Sequence, residues 1–145
     1  METNIAPGLR FSILDHEFKI RLADQAGKMG LTVSQLRVLG ELSRLESKGI
    51  EEINQKDLEN SLKVTHPTMT GIIKRLEKKN AVVCTPSKLD RRYKKIRCTP
   101  EYCHIHDQLR EMDWAVFGEL CEGIPQEQVK QFLELSEKML ENIEK

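Results

Sequence analysis

The sequence predicts a mainly α-helical chain interrupted once, after its fourth helix, by a small β-hairpin. Three observations carry that prediction. Apolar residues recur at helical spacing through most of the 145 residues. Residues that cap or end helices stand between those stretches, and one short segment switches to the alternating pattern of strands. The length is that of one domain. A composition of 39% apolar and 32% charged residues suits helices that bury one face and solvate the other.

Taken in order, Phe11, Leu14, Phe18, Leu22 and Ala26 predict a first helix from Leu9 to Lys28, with Gly27 and Gly30 at its end. Thr32 and Gln35 have the spacing of a capping box, opening a second helix through Leu36, Leu39, Leu42 and Leu45 to about Ser47. Asn54 caps a short third helix ending near Leu62. After a tight connection, Thr65 caps a fourth with Pro67 in its first turn. Asn80 stands where a helix needs a left-handed residue to stop. Val82–Cys84 and Lys94–Cys98 then read as two strands, with Ser87–Arg92 as the exposed tip between them. Thr99-Pro100 opens a long fifth helix toward Cys121. Gly123 and Pro125 break it, and Val129, Phe132, Leu133, Ser136, Met139, Leu140 and Ile143 mark the apolar face of the last.

Composition excludes several classes. The longest uncharged stretch, the ten residues Val64–Ile73, is too short for a membrane helix, so no membrane partner is expected. The N-terminus lacks a basic segment followed by an apolar one, and the expectation is a soluble, cytoplasmic protein. Cys84, Cys98, Cys103 and Cys121 are too few and too uneven for a secreted disulfide framework. There is no glycine-rich phosphate loop and no nucleophile elbow. Cys103 and His104, as helix neighbours, diverge by about 100°. An enzyme is not expected, nor a cofactor.

The net charge of zero conceals a strong asymmetry. Residues 63–99 hold 11 Lys and Arg against only Glu77 and Asp90, while both flanks are net acidic. A block this basic suits phosphate. Two short helices joined by a tight turn and followed by a hairpin make a winged helix-turn-helix, whose second helix enters the DNA major groove. Around the fourth helix, Met69, Ile72, Ile73 and Leu76 cluster inward. The opposite side presents Pro67, Thr70, Gly71, Lys74 and Lys78, flanked by His66, Thr68 and Arg75. Small and hydroxylated residues there permit approach to base edges, and the lysines suit phosphate or guanine. Lys63 and Lys79 add to the expected phosphate contacts. At the hairpin tip, Arg91 and Arg92, with Lys88, Lys94 and Lys95 behind them, are expected to reach phosphates or a narrow minor groove. Asp90 pairs internally with a neighbouring Arg to hold the tip in shape. Arg92→Ala is thus expected to weaken binding to every sequence, and Thr70→Ala to change preference at one position.

These residues resemble the MarR family of bacterial transcriptional regulators. The resemblance rests on Val64–Thr70, Arg75–Asn80, and Asp90-Arg91-Arg92 closing on Ile96–Thr99. Gly30-Leu31-Thr32, Gln35 and Val38-Leu39 extend it over nearly the whole chain. Asn80 departs from the Gly usual there, Cys98 from an apolar strand residue, Tyr102 from a common Gly, and Gly71 from bulkier residues. The resemblance implies a single domain over 1–145, with a DNA-binding region at about 32–99 and dimerisation helices at about 5–30 and 100–145. It further implies a homodimer on double-stranded DNA carrying a palindromic operator, and repression relieved by a small-molecule inducer, a metal or oxidation.

Two alternatives remain open at the level of sequence: a metal- or redox-responsive regulator of the same fold, and a winged helix that binds another protein. For the first, Cys98, Cys103 and His106, completed by His16, are the candidate ligands. The inducer site is expected between the winged region and the dimer helices, walled by Phe11–Leu22 and Leu36–Leu42.

Overall fold

The structure, a computed structural model, describes residues 4–145; Met1–Thr3, part of the N-terminal segment read above for a leader, lie outside the described residues. The elements run α1 (Pro7–Lys28), α2 (Val33–Ser47), α3 (Gln55–Leu62) and α4 (His66–Lys78). Strands β1 (Val82–Pro86) and β2 (Lys94–Cys98) follow, then a 3-10 turn at Pro100–Tyr102, α5 (Ile105–Leu120) and α6 (Gln126–Glu144).

Local chemistry sets most boundaries. The Thr32 hydroxyl accepts from the Gln35 amide at 3.2 Å, and the Gln35 side chain accepts from the Thr32 amide at 3.1 Å, completing the expected capping box. Asn54 and Asp57 form a second one on α3, at 2.9 Å in both directions. Asn80 takes φ +57°, the left-handed stop that its position demanded.

Two expectations need correction. Thr65 occupies the N-cap of α4, yet its hydroxyl donates to Thr68 Oγ1 at 3.0 Å and caps no backbone amide. The fifth helix does not open at Pro100. The fully buried Ser43 hydroxyl of α2 donates to the Cys103 carbonyl at 2.8 Å. A buried hydroxyl needs a partner, and this one holds Cys103 at the end of the 3-10 turn. His104 then leaves helical geometry at φ −118°, and α5 starts at Ile105.

The core lies around α2. Leu36, Leu39 and Leu42 are completely buried, packed with Leu58 of α3, Met69 and Leu76 of α4, Ile96 of β2 and Ile105 of α5. A β-carbon on Gly40 would stand 2.4 Å from Leu109 Cδ2, so the end of the Leu109 side chain of α5 lies against the bare backbone of Gly40. The outer helices contrast with this. α1 buries only Leu22 and Ala26, and none of the described residues of α6 is buried. No helix of the described residues is long and apolar enough to cross a membrane.

Candidate nucleic-acid interface

α3 and α4 meet through Lys63, which adopts φ +54°, and Val64, whose amide donates back to the Glu59 carbonyl at 3.2 Å. This abrupt turn sets α4 across α3. Met69, Ile72, Ile73 and Leu76 are buried, as their spacing predicts. On the opposite face His66, Pro67, Thr68, Lys74, Arg75 and Lys78 are exposed, with Thr70 and Gly71 half-buried between them. Lys74, Arg75 and Lys78 have no ion-pair partner among the described residues. A β-carbon on Gly71 would lie 3.6 Å from Arg75 Nη1, so the guanidinium lies along the bare backbone of Gly71.

The leading end of α4 is braced by α3. Glu59 Oε2 lies 3.0 Å from His66 Nδ1, and that hydrogen bond is the main cause holding the Glu59 carboxyl below its ordinary pKa. Gln55 Nε2 donates to Thr70 Oγ1 at 2.8 Å and reaches the His66 carbonyl at 3.4 Å; Thr70 Oγ1 in turn donates to that carbonyl at 2.9 Å. Gln55 and Glu59 are absent from the expected site. Both sit on the helix before α4, and no motif marks a pairing made across the turn.

The wing is an antiparallel pair in register from Val82 opposite Cys98 to Pro86 opposite Lys94. It is anchored to the α2–α3 connection. The Ile96 amide donates to the Ile53 carbonyl at 2.8 Å, and Glu52 accepts from the Ser87 hydroxyl at 2.6 Å and from the Lys88 amide at 3.0 Å. Those bonds hold Glu52 below its ordinary pKa, Ser87 foremost. Ser87 Oγ also accepts the amides of Leu89 and Asp90, both at 3.1 Å. At the tip, Asp90 pairs with Arg92 through Nε at 3.1 Å and Nη2 at 2.7 Å, which lowers the Asp90 pKa and raises that of Arg92. Asp90 thus makes the expected internal pair, and its partner is Arg92. Arg91, Lys88 and Lys94 are exposed without an ion-pair partner among the described residues. Lys79, exposed, also has a structural role: its ammonium donates to the Gly30 carbonyl at 2.6 Å and Gln35 Oε1 at 2.7 Å, closing the α1–α2 turn. Lys63 pairs with Glu144 at the end of α6, at 3.2 Å.

The candidate metal ligands are not gathered. Among the described residues no group of three or more His, Cys, Asp or Glu is placed to hold an ion. His106 Nδ1 lies 2.6 Å from the buried Ser43 hydroxyl. Burial pushes the Cys98 thiol up to about 12 and the Cys84 thiol up to about 11, keeping both protonated. An open groove of about 640 Å³ lies between the outer helices, lined by Phe11, Leu14, Phe18, Phe117, Val129 and Phe132 among others. Here the expected walls need correction. Of Leu36–Leu42 only Arg37 lines it; Leu36, Leu39 and Leu42 are core, and α5 and α6 supply the far side.

A braced two-helix unit with an outward polar and cationic helix, backed by an anchored hairpin, defines a winged helix-turn-helix protein. Residues 29–92, somewhat less than half of the chain, match the MarR family model, to which this winged helix is therefore similar. Solved structures agree across the whole length. The S. aureus MepR–DNA complex superposes with a TM-score of 0.81 at 22% identity, over 96% of this chain and 99% of that one. A MarR protein of Peptoclostridium difficile gives 0.81 at 23%, over 99% and 92%. The reduced form of E. coli MarR gives 0.79 at 20%, over 94% and 97%. At such identities the likeness establishes the fold. No curated protein matches the chain in sequence.

Proposed function

We propose that the protein is a homodimeric, DNA-binding transcriptional repressor that seats α4 in the major groove and the wing tip against the adjoining backbone or minor groove. The observation that carries this reading is the row of exposed cations without ion-pair partners among the described residues. Lys74, Arg75 and Lys78 lie on α4, continued by Lys88, Arg91 and Lys94 on the wing, in a block of net charge +9. MepR of S. aureus, similar over nearly its whole length, has been solved with DNA.

Dimerisation is supported by the outer helices. Phe11 and Leu14 on α1 and Phe132, Met139, Leu140 and Ile143 on α6 are each about half exposed or more, and a monomer would leave that apolar surface in water. A two-fold dimer presents two copies of α4 to successive major grooves about 34–36 Å apart and reads a palindrome. The aromatic groove beside Phe18 and Phe117 suits a small apolar inducer, whose binding would shift the outer helices and with them the spacing of the two α4 helices.

A gel-shift titration with the DNA flanking the coding region, at two salt concentrations and against random competitor, tests the reading. Tight, salt-sensitive and sequence-selective retardation is the expected outcome. A folded dimer that retards no DNA would overturn it and favour a protein-binding winged helix.

A further inference from the structure

We propose that Gln55 of α3 is a specificity-determining positioning residue. By fixing the hydrogen of the Thr70 hydroxyl, it restricts α4 to bases that offer an amino group at that point of the major groove. The inference rests on the DNA-binding reading above.

The argument is one of donors and acceptors. The atom of Gln55 that approaches Thr70 also faces the His66 carbonyl, at 3.4 Å, and His66 Nδ1, at 3.0 Å. The His66 carbonyl only accepts, and the amide NH2 serves both it and the Thr70 hydroxyl, which places that group there and not the amide oxygen. It follows that Thr70 Oγ1, 2.8 Å away, accepts from Gln55. The one hydrogen of that hydroxyl goes to the His66 carbonyl at 2.9 Å. A threonine hydroxyl has one hydrogen and two lone pairs. With the hydrogen and one lone pair committed, a single lone pair remains for the outside, and Thr70 presents itself as an acceptor.

His66 completes the arrangement. Its Nδ1 lies 3.0 Å from Glu59 Oε2 and 3.0 Å from Gln55 Nε2, so the two α3 side chains hold the ring beside Thr70. A free threonine hydroxyl can turn to donate or to accept and so distinguishes bases poorly. Held by Gln55, it accepts. In the major groove the amino donors are adenine N6 and cytosine N4, whereas guanine and thymine offer acceptors that would meet a lone pair. Gln55 touches no base in this account and acts only through Thr70.

The test is selection of bound sequences from a randomised duplex library, followed by affinities for the selected site and its single-base variants. Wild type, Gln55→Ala, Thr70→Val and the double variant are compared at two salt concentrations. Wild type should prefer adenine or cytosine over guanine or thymine by about tenfold at one position of each half-site. Gln55→Ala should bring that ratio close to even and leave the other positions unchanged. Its salt dependence should also be unchanged, since no charge is lost. Thr70→Val should abolish the preference at the same position, and Gln55→Ala should have no further effect in that background.

The inference is overturned if Gln55→Ala keeps the base preference, or if it alters preference equally with Val at position 70. A guanine or thymine preference at the Thr70-dependent position overturns it as well. A wild-type protein that selects no sequence at all overturns the DNA-binding reading itself, a result distinct from the others.

Discussion

Arg91 and Arg92 are adjacent and chemically identical, yet the wing holds them differently. Arg92 is tied to Asp90 through two nitrogens, so the pair carries little net charge toward a phosphate, whereas Arg91 stands exposed with no such partner among the described residues. Arg91→Ala is therefore expected to weaken binding to specific and random DNA alike and to make the slope of log K against log salt shallower by about 0.9. Arg92→Ala should also weaken binding, chiefly by leaving the Asp90 carboxylate unpaired beside DNA. Asp90→Asn in the same chain should then recover part of the loss, and titrations of the single and double variants decide it. The two arginines were both legible as wing cations. Which of them was free was not, because the choice depends on the conformation of the tip. The cysteines make a second prediction at this scale. Cys98 and Cys84, held protonated by burial, should alkylate with iodoacetamide at pH 8 far more slowly in the native than in the unfolded protein, as read by mass spectrometry. Rapid native labelling of Cys98 would restore the redox-responsive reading.

The wing is useful as a probe only if its base is fixed, and Glu52 fixes it. Its folded-state pKa is lowered by the Ser87 hydroxyl and the Lys88 amide. A lowered carboxylate pKa means the anchoring is fully present above the unfolded value and is lost as pH falls through the folded one. The Lys88 amide resonance should titrate with a midpoint below the ordinary glutamate value, and Ser87→Ala should move that midpoint up. The crossing of α2 and α5 gives another prediction. Gly40→Ala puts a methyl against the end of the Leu109 side chain, which must turn aside, and an overpacking cost of about 1–3 kcal/mol is offset by roughly 1 kcal/mol of helix propensity, leaving a net loss of about 0–2 kcal/mol. Thermal melting should show the loss, and Leu109→Ala in the same chain should relieve it in part. Helix ends were legible wherever the capping partners lie within four residues, as with Thr32 and Gln35. The start of α5 was not, because Ser43 captures the Cys103 carbonyl from 60 positions away.

At the scale of the whole molecule the chain divides into a closed winged core and two outer helices that the core cannot cover. Leu140 is 56% exposed and Ile143 66% exposed, on a helix with no buried residue among those described. Replacing both Met139 and Leu140 by Glu should shift the protein from dimer to monomer in light scattering and leave its helical content nearly intact. Operator affinity should then fall toward that of random DNA, because one winged helix holds half the contacts. A variant that stays dimeric would place the dimer contact elsewhere. The apolar periodicity of α6 and the excess of apolar residues on the outer helices were readable; that Phe132 stacks on Phe117 while Met139, Leu140 and Ile143 stay exposed within one chain is visible only once the rest of the fold is in place.

What the sequence by itself determined is most of what near neighbours govern, with the Thr65 hydroxyl, which bonds Thr68 and caps no amide, and the choice of Arg92 as Asp90's partner as exceptions. Helical faces follow from a repeat of 3.6 residues, caps and left-handed stops from local hydrogen bonding, and the basic block from composition. The tertiary structure alone decided which charged and polar groups are spent and which are available. Lys79 closes a turn against Gly30 and Gln35, Arg92 is held by Asp90, and Gln55 and Glu59 commit Thr70 and His66 across the turn between two helices. Periodicity gives the direction in which a side chain leaves its helix. Whether its last hydrogen or lone pair remains free depends on neighbours that only the folded chain brings within about 3 Å.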